Sequence, residues 1–128
     1  MKGILDTSVF IAEEQQRELA VKRLPDEAAI SAVTLAELQL GVHLARSERV
    51  RAQRLNTLGK VHATYAALPV DEAVAAAFAE LVATARRARR RLRVQDAWIA
   101  ATARAHDAAL YTQDGDFDAL RDVEVVRV

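Results

Sequence analysis

The sequence predicts an α/β fold, a three-layer α/β/α sandwich around a short, mostly parallel sheet. Short apolar runs typical of buried strands alternate with helical patterns, as in parallel α/β proteins. Hydrophobic residues make up 52% of the chain and charged residues 28%, which excludes a disordered protein. With only 4 glycines and 2 prolines, no linker is visible, and residues 1–128 are expected to form a single domain.

The first quarter of the chain predicts two strands separated by a helix. Gly3–Leu5 is an apolar run ended by Asp6-Thr7-Ser8, which is the pattern of a buried strand followed by a helix N-cap. An apolar and acidic helix is expected from Val9 to about Leu24, where Pro25 breaks it. Ala28–Ser31 then predicts a second short strand.

Two helices are predicted next, over residues 32 to about 66. Leu38 and Val42 lie at helical spacing, and an arginine-rich helix follows. Leu68–Val70 predicts an edge strand, the position in a sheet that tolerates proline. Asp71 and Glu72 are acids suited to a helix N-terminus, and this helix is expected to run to about Arg90.

The last third of the chain predicts a helix at Gln95–His106, a strand at Ala108–Tyr111, a turn and short helix at Asp114–Leu120, and a final strand at Val123–Val126. The complete order is β-α-β-α-α-β-α-α-β-α-β. In parallel sheets of this kind, ligands bind outside the carboxyl ends of the strands. The residues that follow the strands are therefore the first candidates for function.

Four acids lie where carboxylates are costly. Asp6 directly follows the first strand, and Asp114, with Asp116 beyond it, follows the fourth. Glu37 lies among leucines in a helix, and Asp96 precedes the most apolar helix. Each acid alone has a structural interpretation, as a helix cap for the three aspartates or as an arginine partner for the glutamate.

Considered together, these acids predict a metal site. Carboxylates forced close together raise one another's pKa values unless a cation neutralises them. Oxygen ligands suit Mg²⁺ or Mn²⁺, and the absence of cysteine excludes thiolate zinc sites. Such an ion orients a water as nucleophile and offsets charge on a phosphoryl group. The chemistry predicted is phosphodiester hydrolysis.

The charges are sorted along the chain although their sum is zero. Residues 1–40 carry a net charge of −3, residues 41–95 carry +7, and residues 96–128 carry −4. A basic surface beside an acidic pocket suits a polyanion next to a cation. The densest basic segment is either a solvated helix end or a contact for the phosphates of such a polyanion. The candidates for that contact are its arginines, Arg86, Arg87, Arg89, Arg90, Arg91 and Arg93.

The acidic motifs, in this order and spacing, resemble those of PIN-domain ribonucleases, and in particular the VapC toxins of type II toxin–antitoxin systems. The motifs are ILDTSV, TLAELQLGV, DAWIAATARAH and LYTQDGDF, and LPVDEAVAAAFAEL extends the likeness to nearly the whole chain. The resemblance implies a PIN-like fold in which Asp6, Glu37, Asp96 and Asp114 are the catalytic, metal-binding acids. It also implies supporting roles for Asp116, Thr112, Thr7 and Ser8.

The same resemblance implies a Mg²⁺- or Mn²⁺-dependent endoribonuclease toxin that acts on RNA and leaves a 5′-phosphate and a 3′-hydroxyl. It further implies a homodimer and a cognate VapB-like antitoxin. No membrane span is expected, since no apolar run approaches the required length, and carboxylates come too early for a signal peptide, so the expected compartment is the cytoplasm. One departure is Asp107, where the family usually has glycine, so a different helix end is expected there.

Other functions remain open on the sequence. Within the family, the alternatives are a housekeeping RNA-processing nuclease without an antitoxin, and a non-catalytic module that binds RNA or protein. A phosphoacceptor receiver domain is rejected because it needs paired acids after the first strand and a late lysine, whereas the last lysine here is Lys60. A haloacid-dehalogenase-like phosphatase needs Asp-x-Asp after that strand, and Ser8 occupies the second position.

Overall fold

The computed structural model describes residues 2–118 and 120–128. Within this part of the chain, five parallel strands form a sheet in the order β3-β2-β1-β4-β5. The strands are β1 Lys2–Leu5, β2 Glu27–Ser31, β3 Ala67–Leu68, β4 Ala109–Thr112 and β5 Val125–Arg127. The α/β class and the parallel sheet predicted from the sequence are confirmed.

Helices cover both faces of the sheet. They are α1 Thr7–Glu14, α2 Ala32–His43, α3 Glu48–Thr64, α4 Glu72–Arg87 and α5 Val94–Ala105, with 3₁₀ turns at Val21–Arg23 and Gly115–Phe117. Several begin at a side-chain cap that accepts a backbone N–H: Asp6 for α1, Ser31 for α2, Ser47 for α3 and Asp71 for α4. None of the helices within residues 2–118 and 120–128 is both long and apolar enough to cross a lipid bilayer.

The core has two layers, because neighbouring residues of a strand point to opposite faces of the sheet. Ile4 packs with Leu81 of α4 and Ile99 of α5 on one face. Leu5 packs with Phe10 of α1 and Leu38 of α2 on the other. The sheet is thereby covered on both sides, and its carboxyl edge is left as the natural place for a site.

The first helix is shorter than predicted. It ends at Glu14 instead of continuing to about Leu24. Gln16 adopts a left-handed conformation with φ 55°, and the Arg17 N–H donates to Ala12 O at 2.8 Å, which closes the helix end. The prediction was wrong because residues 15–18, directly after Glu14, are polar and exposed, so no apolar stripe holds a longer helix to the core.

Other boundaries shift by smaller amounts. Strand β3 stops before Pro69, which has no N–H to donate to the sheet, so the predicted strand at Leu68–Val70 was misplaced. Helix α4 ends at Arg87 instead of Arg90, since Arg89 is left-handed with φ 55°. The last strand is Val125–Arg127 instead of Val123–Val126. Of the predicted turn and short helix at 114–120, Gly115–Phe117 forms a 3₁₀ turn, and Ala119 lies outside the described residues.

The end of α5 corrects a second expectation. Asp107 adopts the left-handed conformation that glycine favours, with φ 50°. The Ala108 N–H donates to Ala103 O at 2.9 Å, and the Asp107 N–H donates to Arg104 O at 3.1 Å. The helix therefore ends with the hydrogen bonds that usually accompany a glycine at this position, although the residue is an aspartate. The left-handed backbone of Asp107 is strained as a result.

Candidate active site

The candidate site lies at the carboxyl ends of β1 and β4. These neighbouring central strands form the point where the strand order reverses, the usual place for a ligand crevice in an open parallel sheet. Asp6 follows β1, and its N–H donates to Tyr111 O in β4 at 2.9 Å. This bond continues the strand pairing by one residue and holds Asp6 against the end of β4.

One oxygen of Asp6 is held by hydroxyl groups. Asp6 Oδ2 accepts hydrogen bonds from Ser8 Oγ at 2.6 Å and from Thr112 Oγ1 at 2.8 Å. The two hydroxyls are held in turn by backbone N–H groups, from Gln113 to Ser8 Oγ at 3.0 Å and from Asp114 to Thr112 Oγ1 at 2.9 Å. Asp6 is only 2% exposed, so the structure fixes this carboxylate before any ligand arrives. Asp6 also caps α1, but this role involves only one long hydrogen bond, in which the Ser8 N–H donates to Asp6 Oδ2 at 3.4 Å.

Glu37 is oriented by a threonine of the first motif. Thr7 Oγ1 donates to Glu37 Oε1 at 2.7 Å and also lies 3.1 Å from Thr34 Oγ1. Burial raises the pKa of Glu37, and the charges of Asp6 and Asp114 add to the effect, against the Thr7 hydrogen bond and the charge of Arg93. The ion pairs found among the described residues do not include Glu37, which disfavours its reading as an arginine partner.

Asp96 is the least compensated acid. It lies in the first turn of α5 and is 7% exposed, and its Oδ2 is buried without a hydrogen-bond partner in the described part of the chain. Burial, followed by the charge of Asp6, raises its pKa to about 6. The N-cap of α5 is Arg93, so the capping interpretation of Asp96 was wrong. A buried carboxylate oxygen without a partner requires an explanation, and the capacity to bind a cation provides one.

Asp114 completes the group at the sheet edge. Burial, followed by the charges of Asp6 and Asp116, raises its pKa, while Arg93 and Arg127 oppose the rise. It stands at the N-cap position of the 3₁₀ turn but makes no side-chain cap hydrogen bond, so capping does not explain it. Asp116 is exposed in that turn. The carboxylates of Asp6, Glu37, Asp96 and Asp114 are thus within electrostatic reach of one another.

These acids do not form a closed metal cage as their side chains stand. Among the described residues, no three carboxylate, imidazole or thiol side chains converge closely enough to enclose an ion. The donors nevertheless fit a hard cation. All the donor atoms are carboxylate oxygens, and Asp96 Oδ2 is buried without a hydrogen-bond partner. The pKa values of Glu37, Asp96 and Asp114 are raised, and a bound divalent cation would lower them by stabilising the ionised carboxylates.

The arginine run divides into parts with different surroundings. Arg86 and Arg87 belong to the last turn of α4, and Arg89 makes the left-handed turn that follows. Arg90 and Arg91 line a cavity together with Asp116. The remaining member, Arg93, opposes the rise in pKa of Glu37, Asp96 and Asp114, so its charge lies nearest the acids.

Two supporting residues were missed by sequence reasoning. Thr34 is fully buried beside Thr7, and its place three residues before Glu37 on the same helix face was a usable signal. Gln113 donates from its backbone to Ser8 and from its side chain to Glu18 O at 2.8 Å and Val128 O at 2.9 Å. Those last two contacts join distant segments, so no local pattern reveals them.

Comparison with known proteins places these observations in a family. The profile of the PIN domain matches residues 3–123. Ribonuclease VapC5 of Mycobacterium tuberculosis is 46% identical over 129 residues, covering 98% of this chain and 95% of that protein. Ribonuclease VapC4 of the same organism is 42% identical over 127 residues, covering 99% and 97%.

A solved structure agrees with the sequence relatives. The crystal structure of VapBC-5 from Mycobacterium tuberculosis, a member of the VapBC family of toxin-antitoxin systems, contains a chain that matches with a TM-score of 0.91. That chain is 44% identical, and the match covers 99% of this chain and 98% of that one. The backbone that presents the acids is therefore shared along almost its full length.

Proposed function

The chain belongs to the PIN-domain family, and on that premise we propose that it is a VapC-type endoribonuclease, the toxin of a toxin–antitoxin pair. The observation that carries the proposal is the pairing of a fixed carboxylate with an uncompensated one. Asp6 is clasped by Ser8 and Thr112, while Asp96 is buried with an unpaired oxygen close enough for the Asp6 charge to raise its pKa. Two carboxylates held this close repel each other, so the pair does not stabilise the fold unless a cation binds to it.

We infer that Mg²⁺ or Mn²⁺ binds among Asp6, Glu37, Asp96 and Asp114. When bound, such an ion supplies an activated water and neutralises charge on a phosphoryl group. The chain's own residues prepare the site. Ser8 and Thr112 hold Asp6 Oδ2, which leaves its Oδ1 for the ion, and Thr7 fixes one oxygen of Glu37.

The basic residues next to the acids suit the substrate. Arg93 is exposed at the start of α5, and its charge acts on Glu37, Asp96 and Asp114. A guanidinium there attracts an RNA phosphate toward the carboxylates and offsets their repulsion of a polyanion. Hydrolysis of a phosphodiester next to these groups gives the 5′-phosphate and 3′-hydroxyl ends expected of the family.

The test is RNA cleavage by purified protein, with Mg²⁺ or Mn²⁺ compared with EDTA. We expect discrete, metal-dependent cuts that are lost in Asp6→Asn and in Asp96→Asn. Asp26→Asn is the matched control, since Asp26 is an exposed aspartate before β2, at the opposite edge of the sheet. Folded protein that cuts no cellular RNA in any metal would support the non-catalytic binding module instead. Cleavage that survives both site substitutions would mean that the site is misplaced.

We also propose a VapB-like antitoxin partner and a homodimer. The proposal is supported by the VapBC title of the structural neighbour and by large apolar side chains left exposed on the helices. These include Ile11 in α1, Leu40 in α2 and Leu55 in α3, which are 37%, 55% and 47% exposed. Exposed apolar surface of this kind is typical of protein interfaces.

The partner proposal is tested in the genome and in solution. A small reading frame next to this one should encode a protein that co-purifies with the chain and suppresses its cleavage of RNA. Sedimentation of the isolated chain should give twice the monomer mass. Metal-dependent cleavage without any such neighbouring frame would favour the housekeeping nuclease, and a monomer would contradict the dimer.

A further inference from the structure

A small cavity is lined in part by Asp116 and by none of the four acids of the proposed metal site. Its volume is 280 Å³, and it is formed by the end of α4, the segment after it, and residues next to the 3₁₀ turn Gly115–Phe117. Its wall has an apolar part, made by Leu81, Leu92 and Leu120. The charged residues that line it are Arg90, Arg91, Arg121, Asp116 and Asp122. A larger cavity of 440 Å³ lies between α1 and α3, away from these residues.

The backbone is shaped to bring the arginines to this cavity. Arg89 is left-handed with φ 55°, and the Arg90 N–H donates to Ala85 O at 2.8 Å, so the chain turns back across the end of α4. The residues after this turn, Arg90 and Arg91, line the cavity. Gln16 and Asp107 have the same left-handed conformation at the ends of α1 and α5, so the turn at Arg89 is a helix end of the same kind that here places two arginines at the cavity.

Two residues that line the cavity are near neighbours, along the chain, of residues at the candidate active site. Leu92 directly precedes Arg93, the residue whose charge acts on three of the acids. Asp116 comes two residues after Asp114 and influences its charge state. An RNA strand with a phosphate at the acids would therefore place a neighbouring nucleotide within reach of the cavity.

We propose that this cavity binds a guanine base of the RNA strand, next to the phosphate that is cut; the inference rests on the proposed ribonuclease function. Guanine presents O6 and N7 as acceptors, which match the N–H groups of Arg90 and Arg91, and an amino group that matches the Asp116 carboxylate. The leucine side chains offer an apolar surface to the face of the ring. A grip on phosphate alone would need neither the leucines nor the carboxylate, which repels phosphate.

The test uses a substitution that fills the cavity. Ala88 lines it at the end of α4 and is exposed, so Ala88→Phe should fill the space without disturbing the core. Ala76→Phe is the matched control, because Ala76 is an exposed alanine of the same helix that does not line this cavity. The probes are single-stranded oligouridylates that carry one guanine, one hypoxanthine or no purine. Binding is measured in EDTA so that the strands remain intact.

We expect the wild-type protein and Ala76→Phe to bind the guanine strand about 10-fold more tightly than the all-uridine strand. Hypoxanthine, which lacks the amino group, should recover only part of this preference. In Ala88→Phe, all three strands should bind with affinities equal to within about twofold, at the level of the all-uridine strand.

Two results would overturn the inference and leave the ribonuclease intact. One is metal-dependent cleavage by a wild-type protein that shows no preference for guanine. The other is a guanine preference that survives in Ala88→Phe. If this variant keeps its guanine preference but binds the antitoxin more weakly, the cavity is a contact for the protein partner and not for a base. Failure of the wild-type protein both to bind and to cut RNA would instead refute the proposed function.

Discussion

Replacing the buried acid of the site should stabilise the protein while it removes activity. Burial raises the pKa of Asp96 to about 6, against an ordinary value of 3.8. Keeping this group ionised in the folded protein therefore costs at most about 3 kcal/mol above pH 6. Asparagine has nearly the same shape as aspartate and no charge, so without metal the free energy of unfolding of Asp96→Asn should exceed that of the wild-type protein by up to this amount at pH 8. The corresponding rise in Tm is roughly 10 °C at most.

The pH dependence distinguishes this cause from others. Between pH 3.8 and 6 the folded protein holds a proton on Asp96 that the unfolded chain releases, so the stability of the wild-type protein falls as pH rises through this window. Below about pH 4 the group is protonated in both states, and the advantage of Asp96→Asn should disappear.

Urea unfolding in EDTA, at several pH values from 4 to 8, measures the difference between the two proteins. Asp26→Asn, which changes an exposed aspartate, should follow the wild-type curve throughout. A variant that is less stable than the wild-type protein at pH 8, or a gain that is the same at pH 4 and at pH 8, would refute the reasoning.

Four further outcomes are expected. Mg²⁺ at 100 times its Kd should stabilise the wild-type protein by about 2.7 kcal/mol in thermal unfolding, and Asp96→Asn by clearly less. Thr112→Val removes a hydrogen bond to the Asp6 carboxylate, so kcat/KM for RNA should fall roughly 10- to 100-fold with the fold retained by circular dichroism. Arg93→Ala removes a charge that lowers the pKa values of Glu37, Asp96 and Asp114, so titration should show Mg²⁺ binding lost at a higher pH than in the wild-type protein. Asp107→Gly relieves a left-handed backbone and should add roughly 0.5–1 kcal/mol in urea unfolding with RNA cleavage unchanged; a loss of stability would show that the aspartate is not strained.

The parts of the site that the sequence predicted follow from general rules. Asp6 and Asp114 were predicted because side chains after parallel strands collect at one edge of the sheet, and the structure puts both acids there. The hydroxyl of Thr112 was implied by the family resemblance, and it does donate to Asp6. The roles of these residues in metal binding and catalysis remain predictions.

The remaining features depend on tertiary contacts that a linear pattern does not contain. The end of α1 is set by the left-handed Gln16 and by the polar, exposed residues 15–18 that follow Glu14. The division of the arginine run follows from another left-handed residue, Arg89, where no glycine signals a turn. Gln113 links three distant segments, which periodicity alone does not reveal.

The hydroxyl clasp on Asp6 has a consequence for the synthesis of the protein on the ribosome. Ser8 and Asp6 are made first, but Thr112, Gln113 and Asp114 come more than a hundred residues later, and β1 can pair with β4 only then. Until the end of the chain emerges, Asp6 lacks Thr112 and the sheet lacks its central pair. A growing chain of this protein therefore cannot hold Asp6 as the folded chain does until Thr112 and β4 have left the ribosome. We expect the proposed metal site to assemble only at that late stage, so a partner that binds it has most of the period of synthesis in which to fold.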